Sequence, residues 1–112
     1  MNKIAVVVPS FKVKQHILSV ISKIGREVNI IYVIDDKCPE NSGKFVEENS
    51  TDKRVKVIYN SVNQGVGGAV MVGYRKAIED HCKIIIKVDG DDQMDPKLIP
   101  HFIKPIIEGR GL

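Results

Sequence analysis

Ile84-Ile85-Ile86-Lys87-Val88-Asp89-Gly90-Asp91-Asp92-Gln93-Met94-Asp95-Pro96 decides how the rest of the chain is read. Ile84 to Val88 is short, aliphatic and β-branched, the signature of a buried strand. It runs directly into Asp89, Asp91 and Asp92, three carboxylates within four positions. Like charges packed this densely repel unless solvent or a cation screens them. Carboxylate oxygens suit Mg²⁺ or Mn²⁺, and Mg²⁺ takes one or two protein carboxylates together with substrate phosphates. A solvated acidic turn capping the next helix is the plainer reading of the same residues.

Outward from this stretch, aliphatic runs alternate with segments of helical period. Ile4 to Val8, Val28 to Ile34 and Val55 to Tyr59 read as three further strands. Ile17, Val20, Ile21 and Ile24 form one helical face, which Gly25 ends, and Gly43 to Asn49 can form a short helix. Val70, Gly73, Tyr74, Ala77, Ile78 and His81 trace another face, and Ile99, Phe102, Ile103, Ile106 and Ile107 a last one. Pro100 and Pro105 delay or kink that last helix, because an interior proline costs about 3 kcal/mol. Continuous apolar strands alternating with helices predict an α/β domain, a three-layer sandwich around a mostly parallel sheet.

Composition narrows the function classes. The chain has 112 residues, enough for one domain, with 43% hydrophobic and 28% charged residues and a formal charge of +3. Basic residues are scattered and no Trp is present, so there is little platform for stacking bases, and nucleic acid is not an expected partner. Cys38 and Cys82 match no metal or redox spacing and read as thiols of a reducing compartment, placing the protein in the cytoplasm. The N-terminal apolar run is too short for a signal peptide, and no stretch reaches the ~20 apolar residues of a membrane span. The end at Glu108-Gly109-Arg110-Gly111-Leu112 falls where another strand is expected, so 1–112 reads as a single domain truncated at its C-terminus. The Ile99 to Ile107 stripe and an open sheet edge then predict self-association, to a homodimer in the simplest case.

In parallel α/β sheets ligands bind beyond the carboxyl ends of the strands. Pro9-Ser10-Phe11 follows the first strand, Asp35-Asp36 the second, Asn60 to Gly68 the third and Asp89 to Asp92 the fourth. Asp35 and Asp36 fit either helix caps or acceptors for a ribose hydroxyl or a base N–H. Gly65, Gly67 and Gly68 open a helix, and fit either close approach of a ligand to the backbone or tight packing of that helix on the sheet. They follow the third strand, not the first, so they are not the dinucleotide fingerprint, and no Gly-Lys-Ser/Thr follows to make a P-loop. Met94 and Pro100 stand where a calcium loop needs Gly and Glu. His16, His81 and His101 share no ligand spacing, and His16 and His81 read as helix-surface or helix-end residues.

Taken together, Val6-Val7-Val8-Pro9-Ser10-Phe11, Val33-Ile34-Asp35-Asp36, Asn63 to Ala69 and Asp89-Gly90-Asp91-Asp92-Gln93 resemble the nucleotide-sugar half of family-2 glycosyltransferases of the GT-A fold. Asp91-Asp92-Gln93-Met94-Asp95-Pro96 is most similar to the branch that transfers sugars to polyprenyl phosphates. The resemblance implies a nucleoside-diphosphate sugar as ligand, with Pro9, Phe11 and Asp36 at the nucleoside and Gly65 and Gly67 allowing close backbone approach. It implies a D-x-D pair in which Asp91 ligates Mg²⁺ or Mn²⁺ and Asp89 faces the ribose or a metal-bound water. A lipid-phosphate or glycan acceptor, the catalytic base and attachment at the inner face of a membrane are implied for a C-terminal part beyond Leu112, and no catalytic base is assigned within this chain. Lys37-Cys38 replaces the family's usual Gly-Ser, and Glu40 stands where an Asp is usual. Two other classes compete: a nucleotide-binding module without catalysis, and a Mg²⁺-dependent phospho-acceptor signalling domain, whose paired acids follow the first strand.

Overall fold

The computed structural model describes residues 3–11 and 14–89. Seven elements follow one another: β1 (Ile4–Ser10), α1 (Ile17–Lys23), β2 (Ile30–Asp35), α2 (Ser42–Asn49), β3 (Val55–Tyr59), α3 (Gly65–Glu79) and β4 (Ile84–Lys87). The four strands form one sheet in the order β3-β2-β1-β4, and all three pairings are parallel. This is the expected α/β architecture. The acidic residues after Asp89 and the Ile99/Phe102/Ile103/Ile106/Ile107 stripe lie outside the described residues.

Every residue of β1 and β2 is buried. Side chains alternate between the faces of a strand, so each of these two strands feeds two cores. On one face Val6, Val8, Ile31 and Val33 pack with Ile17, Val20 and Ile21 of α1 and Val46 of α2. On the other, Ala5, Val7, Tyr32 and Ile34 pack with Ala69 and Ala77 of α3. Each fully buried aliphatic side chain contributes about 1.5–3 kcal/mol, so this central pair supplies much of the stability. The edge strands β3 and β4 are only partly covered.

The face of α3 differs from the one its large apolar residues predict. Ala69, Gly73 and Ala77 make the buried line. Val70 and Tyr74 are half-buried, His81 is exposed, and Ile78 is 64% exposed. Close approach is the reason: a Cβ on Gly73 would lie 2.4 Å from Cγ1 of Val7. A helix lying that near the sheet admits only small residues on its contact line. Large neighbours therefore sit to the side, and hydrophobic periodicity alone places the face wrongly.

α3 ends in a Schellman arrangement, in which His81 N–H donates to the Ile78 carbonyl and Cys82 N–H to that of Ala77. His81 holds the left-handed position of this cap, at φ 64°. Below it, the buried Tyr32 hydroxyl donates to Asp80 Oδ2. Burial first, and this bond second, push the Tyr32 hydroxyl well above its ordinary pKa of 10.0. The same bond holds Asp80 below the usual carboxylate range, helped by Lys56. Arg54 closes the neighbouring corner, donating to the Ile24 and Val28 carbonyls and to Asp52 at 2.7 Å.

Two stability predictions follow from α3. Gly73→Ala gains roughly 1 kcal/mol of helix propensity but drives a methyl into fully buried Val7, an overpacking that costs about 1–3 kcal/mol. Urea unfolding is expected to show net destabilisation, and an unchanged midpoint would contradict the close contact. For Tyr32, a pKa raised on folding stabilises fully below pH 10 and is lost as pH rises beyond it. Tyr32→Phe should lower the urea midpoint at neutral pH and flatten its decline above pH 10. A decline as steep as that of the unsubstituted protein would place the alkaline sensitivity elsewhere.

Candidate functional site at the carboxyl edge of the sheet

From β1 the chain steps outward to β2 and β3, then returns across to β4 on the other side of β1. The strand order therefore reverses between β1 and β4, where open α/β sheets hold their ligands. Local chemistry opens this crevice. Val88 N–H donates to the Val7 carbonyl. The next rung of the parallel ladder would need an N–H at position 9, and proline has none. Pairing of β1 with β4 stops there, while β1 stays level with β2 as far as Ser10 opposite Asp35. The buried Ser10 hydroxyl reinforces that side by donating to the Ile34 carbonyl at 3.0 Å.

The two acids after β2 do different jobs. Asp35 points toward α2, accepting from Cys38 N–H through Oδ1 and from Gly43 N–H through Oδ2, both at 2.8 Å. It is the helix cap that composition alone allowed either acid to be. A Cβ on Gly43 would lie 2.8 Å from Asp35 Oδ2, so glycine is what lets the carboxylate reach the backbone. Asp36 points the other way. Its Oδ1 accepts both Asn60 Nδ2–H and Gln64 N–H, each at 2.8 Å, while Oδ2 accepts no hydrogen bond among the described residues. Asp36 is only 2% exposed, so its geometry is set before any ligand arrives.

Lys37 occupies the left-handed region at φ 56°, a conformation glycine adopts freely and other residues at a cost. That explains why glycine is the usual residue there. Cys38 is buried, with Sγ 3.1 Å from the Ser42 hydroxyl, and it forms no disulfide with Cys82.

The loop after β3 meets Asp36 at the start of α3. Gly65 has φ 77°, which accounts for that glycine. Among the described residues, Gly67 has neither a positive φ nor a neighbour within 4 Å of an added Cβ, so packing against them accounts for neither Gly65 nor Gly67. Phe11, 37% exposed, stands at the end of β1, and Asp89 follows β4. Asp89 Oδ1 lies 3.0 Å from Lys87 Nζ.

The structure thus brings Pro9, Phe11, Asp36, Gly65, Gly67 and Asp89 to one edge. Asp91 lies outside the described residues, among which no three His, Cys, Asp or Glu side chains converge as a metal cage. A single carboxylate at the crevice does fit the donor chemistry of Mg²⁺ or Mn²⁺, which complete their shells with water and phosphate oxygens. Asn60 and Gln64, which orient Asp36, carry no local signal of that role. The groups with the most displaced titration, Tyr32, Asp80, Asp52 and Arg54, lie at the opposite edge and serve packing. Nor does the strand order fit the phospho-acceptor design. That design places β3 beside β1, whereas here β4 occupies that place and the paired acids end β2.

A parallel sheet of this order, with a buried acid and a glycine-rich turn at its carboxyl edge, defines an α/β domain whose candidate site lies where the strand order reverses. The family model for glycosyl transferase family 2 matches residues 5–111, and the chain belongs to that family. It is 28% identical over 114 residues to a dolichol-phosphate mannosyltransferase of Pyrococcus furiosus, covering 98% of this chain and 32% of that protein. It is also 28% identical to a UDP-N-acetylglucosamine–dolichyl-phosphate N-acetylglucosaminyltransferase of Methanococcus voltae, over 93% of this chain and 47% of that one. The crystal structure of S. aureus TarS 1–349 in complex with UDP-GlcNAc superposes with a TM-score of 0.76 at 20% identity, over 95% of this chain and 31% of that one. The fold is thus the GT-A one. The chain spans between 32% and 47% of the length of these two relatives. Among the described residues, no helix is long and apolar enough to cross a membrane.

Gly67→Ala separates room for a ligand from packing. With open space around it, the added methyl should raise stability by about 0.5–1 kcal/mol, the helix-propensity gain. Thermal unfolding checks this, and a lowered midpoint would show a packing role after all.

Proposed function

We propose that this domain holds the donor of an inverting glycosyltransferase, a nucleoside-diphosphate sugar, for transfer to a polyprenyl phosphate. The observation that carries this reading is Asp36, a buried carboxylate fixed by two bonds to Oδ1, with no donor to Oδ2 among the described residues. Phe11 and Pro9 border the nucleoside, and the open backbone at Gly65 and Gly67 admits close approach of the nucleotide. Residues 1–112 act as a single donor-binding domain. The acceptor class is supported by the names of the relatives, and attachment at the cytoplasmic face of a membrane is proposed along with it.

Asp36 also bears on the base. Uracil offers one ring N–H between two carbonyl oxygens, which a single acceptor oxygen satisfies. Guanine offers a ring N–H beside an amino group, a pair that both oxygens of a carboxylate would take. With Oδ1 saturated by Asn60 and Gln64, Asp36 favours uridine. The UDP and UDP-GlcNAc complexes of TarS agree with this choice.

Asp89 and Asp91 would hold Mg²⁺ or Mn²⁺, and the chemistry such an ion would supply here is neutralisation of the charge on a departing nucleoside diphosphate. No residue of this chain is assigned as catalytic base, and a phosphate acceptor is itself an anionic nucleophile.

Calorimetry with UDP and GDP, each with and without Mn²⁺, tests these assignments. UDP should bind about tenfold more tightly than GDP, since an unpaired guanine donor costs roughly 1–3 kcal/mol. Asp36→Ala should weaken UDP binding with or without metal, whereas Asp91→Asn should remove only the Mn²⁺-dependent increment. Equal affinity for UDP and GDP would overturn the uridine assignment. Absence of any nucleotide binding would overturn the donor-site reading itself.

A further inference from the structure

Lys87 is the one charged residue in the run Ile84-Ile85-Ile86-Lys87-Val88, and it closes β4. Its strand partner is Val7, whose side chain packs against α3, so Lys87 stands on the α3 side of the sheet. Asp89 follows two residues later, just past the point where Pro9 ends the ladder. The ammonium lies 3.0 Å from Asp89 Oδ1, and both side chains are more than a third exposed to solvent. As a surface ion pair it adds little to stability. Its position is a different matter, because it neutralises the acid that borders the donor crevice.

Resting on the donor-site reading above, we propose that Lys87 is a positioning residue that acts as the resident counter-ion of Asp89. Before the donor arrives, its ammonium holds the carboxylate in place and offsets its repulsion with the acids that follow in sequence. On arrival of a divalent cation with the nucleotide, Lys87 gives up Asp89 to the metal and its water. Lysine suits such an exchange, being a compact point charge on a flexible stem, and among the described residues its ammonium pairs with Asp89 alone. Lys87 and the cation therefore compete for one carboxylate, and the cost of displacing the lysine weakens metal binding.

The readout is the Mn²⁺ dissociation constant at saturating UDP, from the electron paramagnetic resonance of free Mn²⁺, for the unsubstituted protein, K87M, K87R, D89N and K87M/D89N. K87M should tighten Mn²⁺ binding about threefold, the size of effect expected for losing a partly exposed ion pair. K87R, which keeps the charge, should leave it unchanged. In the D89N background K87M should have no effect, because the group competed for is gone. A lysine with only a structural role would produce neither the gain in metal affinity nor its dependence on Asp89. Unchanged or weaker Mn²⁺ binding in K87M, while UDP still binds, overturns the role of Lys87 and leaves the donor site standing. Binding of UDP with no Mn²⁺ uptake by either the unsubstituted protein or K87M overturns both Lys87 and the metal assignment. Failure to bind UDP at all overturns the donor-site reading and this one with it.

Discussion

β1 and β2 are covered on both faces along their whole length, and a strand so covered has no place for an unpaired charge. Polar chemistry is therefore pushed to the strand ends. Parallel pairing in register then makes those ends coincide: Ser10 lies opposite Asp35, and Asp35 opposite Tyr59. The site is assembled by this burial constraint before any loop conformation enters. β4 obeys it more loosely as a partly exposed edge, and there a lysine can be carried next to an acid.

The alternation of side chains along β2 divides the work between two adjacent acids. Ile31 and Val33 face α1 and α2, so Asp35 continues that row and meets the start of α2. Tyr32 and Ile34 face α3, so Asp36 continues the other row and meets the loop entering α3. One carboxylate is consumed in holding the loop to α2. The other is locked on one oxygen and meets no donor on its second among the described residues, which makes it a rigid acceptor. A pre-organised acceptor loses little freedom when a ligand binds, so the geometry favours recognition as well as stability.

Proline and glycine shape the edge by what they lack. Pro9 has no N–H to extend the β1–β4 ladder, so those strands are free to separate where the order reverses. Gly43 and Gly73 lack a Cβ that would strike Asp35 and Val7 respectively, and Gly67 lacks one where nothing stands. The first two glycines build the frame; the third leaves space beside it.

The sequence by itself determined the layer order, the parallel sheet and the edge on which the chemistry gathers. Strands buried on both faces leave continuous aliphatic runs, and the charges they exclude collect visibly at the ends. It also marked Asp36, Asp89 and the glycines of the third loop as candidate site residues, and the family match agrees with the resemblance. Only the tertiary structure decided which acid caps a helix and which is held by the loop entering α3, because Asn60 and Gln64 reach Asp36 across more than twenty positions of chain. It alone fixed the contact face of α3, since a helix pressed close to a sheet selects small residues that carry no hydrophobic signal. The pairing of Lys87 with Asp89 belongs to the same class. Periodicity reports what water avoids, whereas hydrogen bonds and close contacts depend on where distant segments meet.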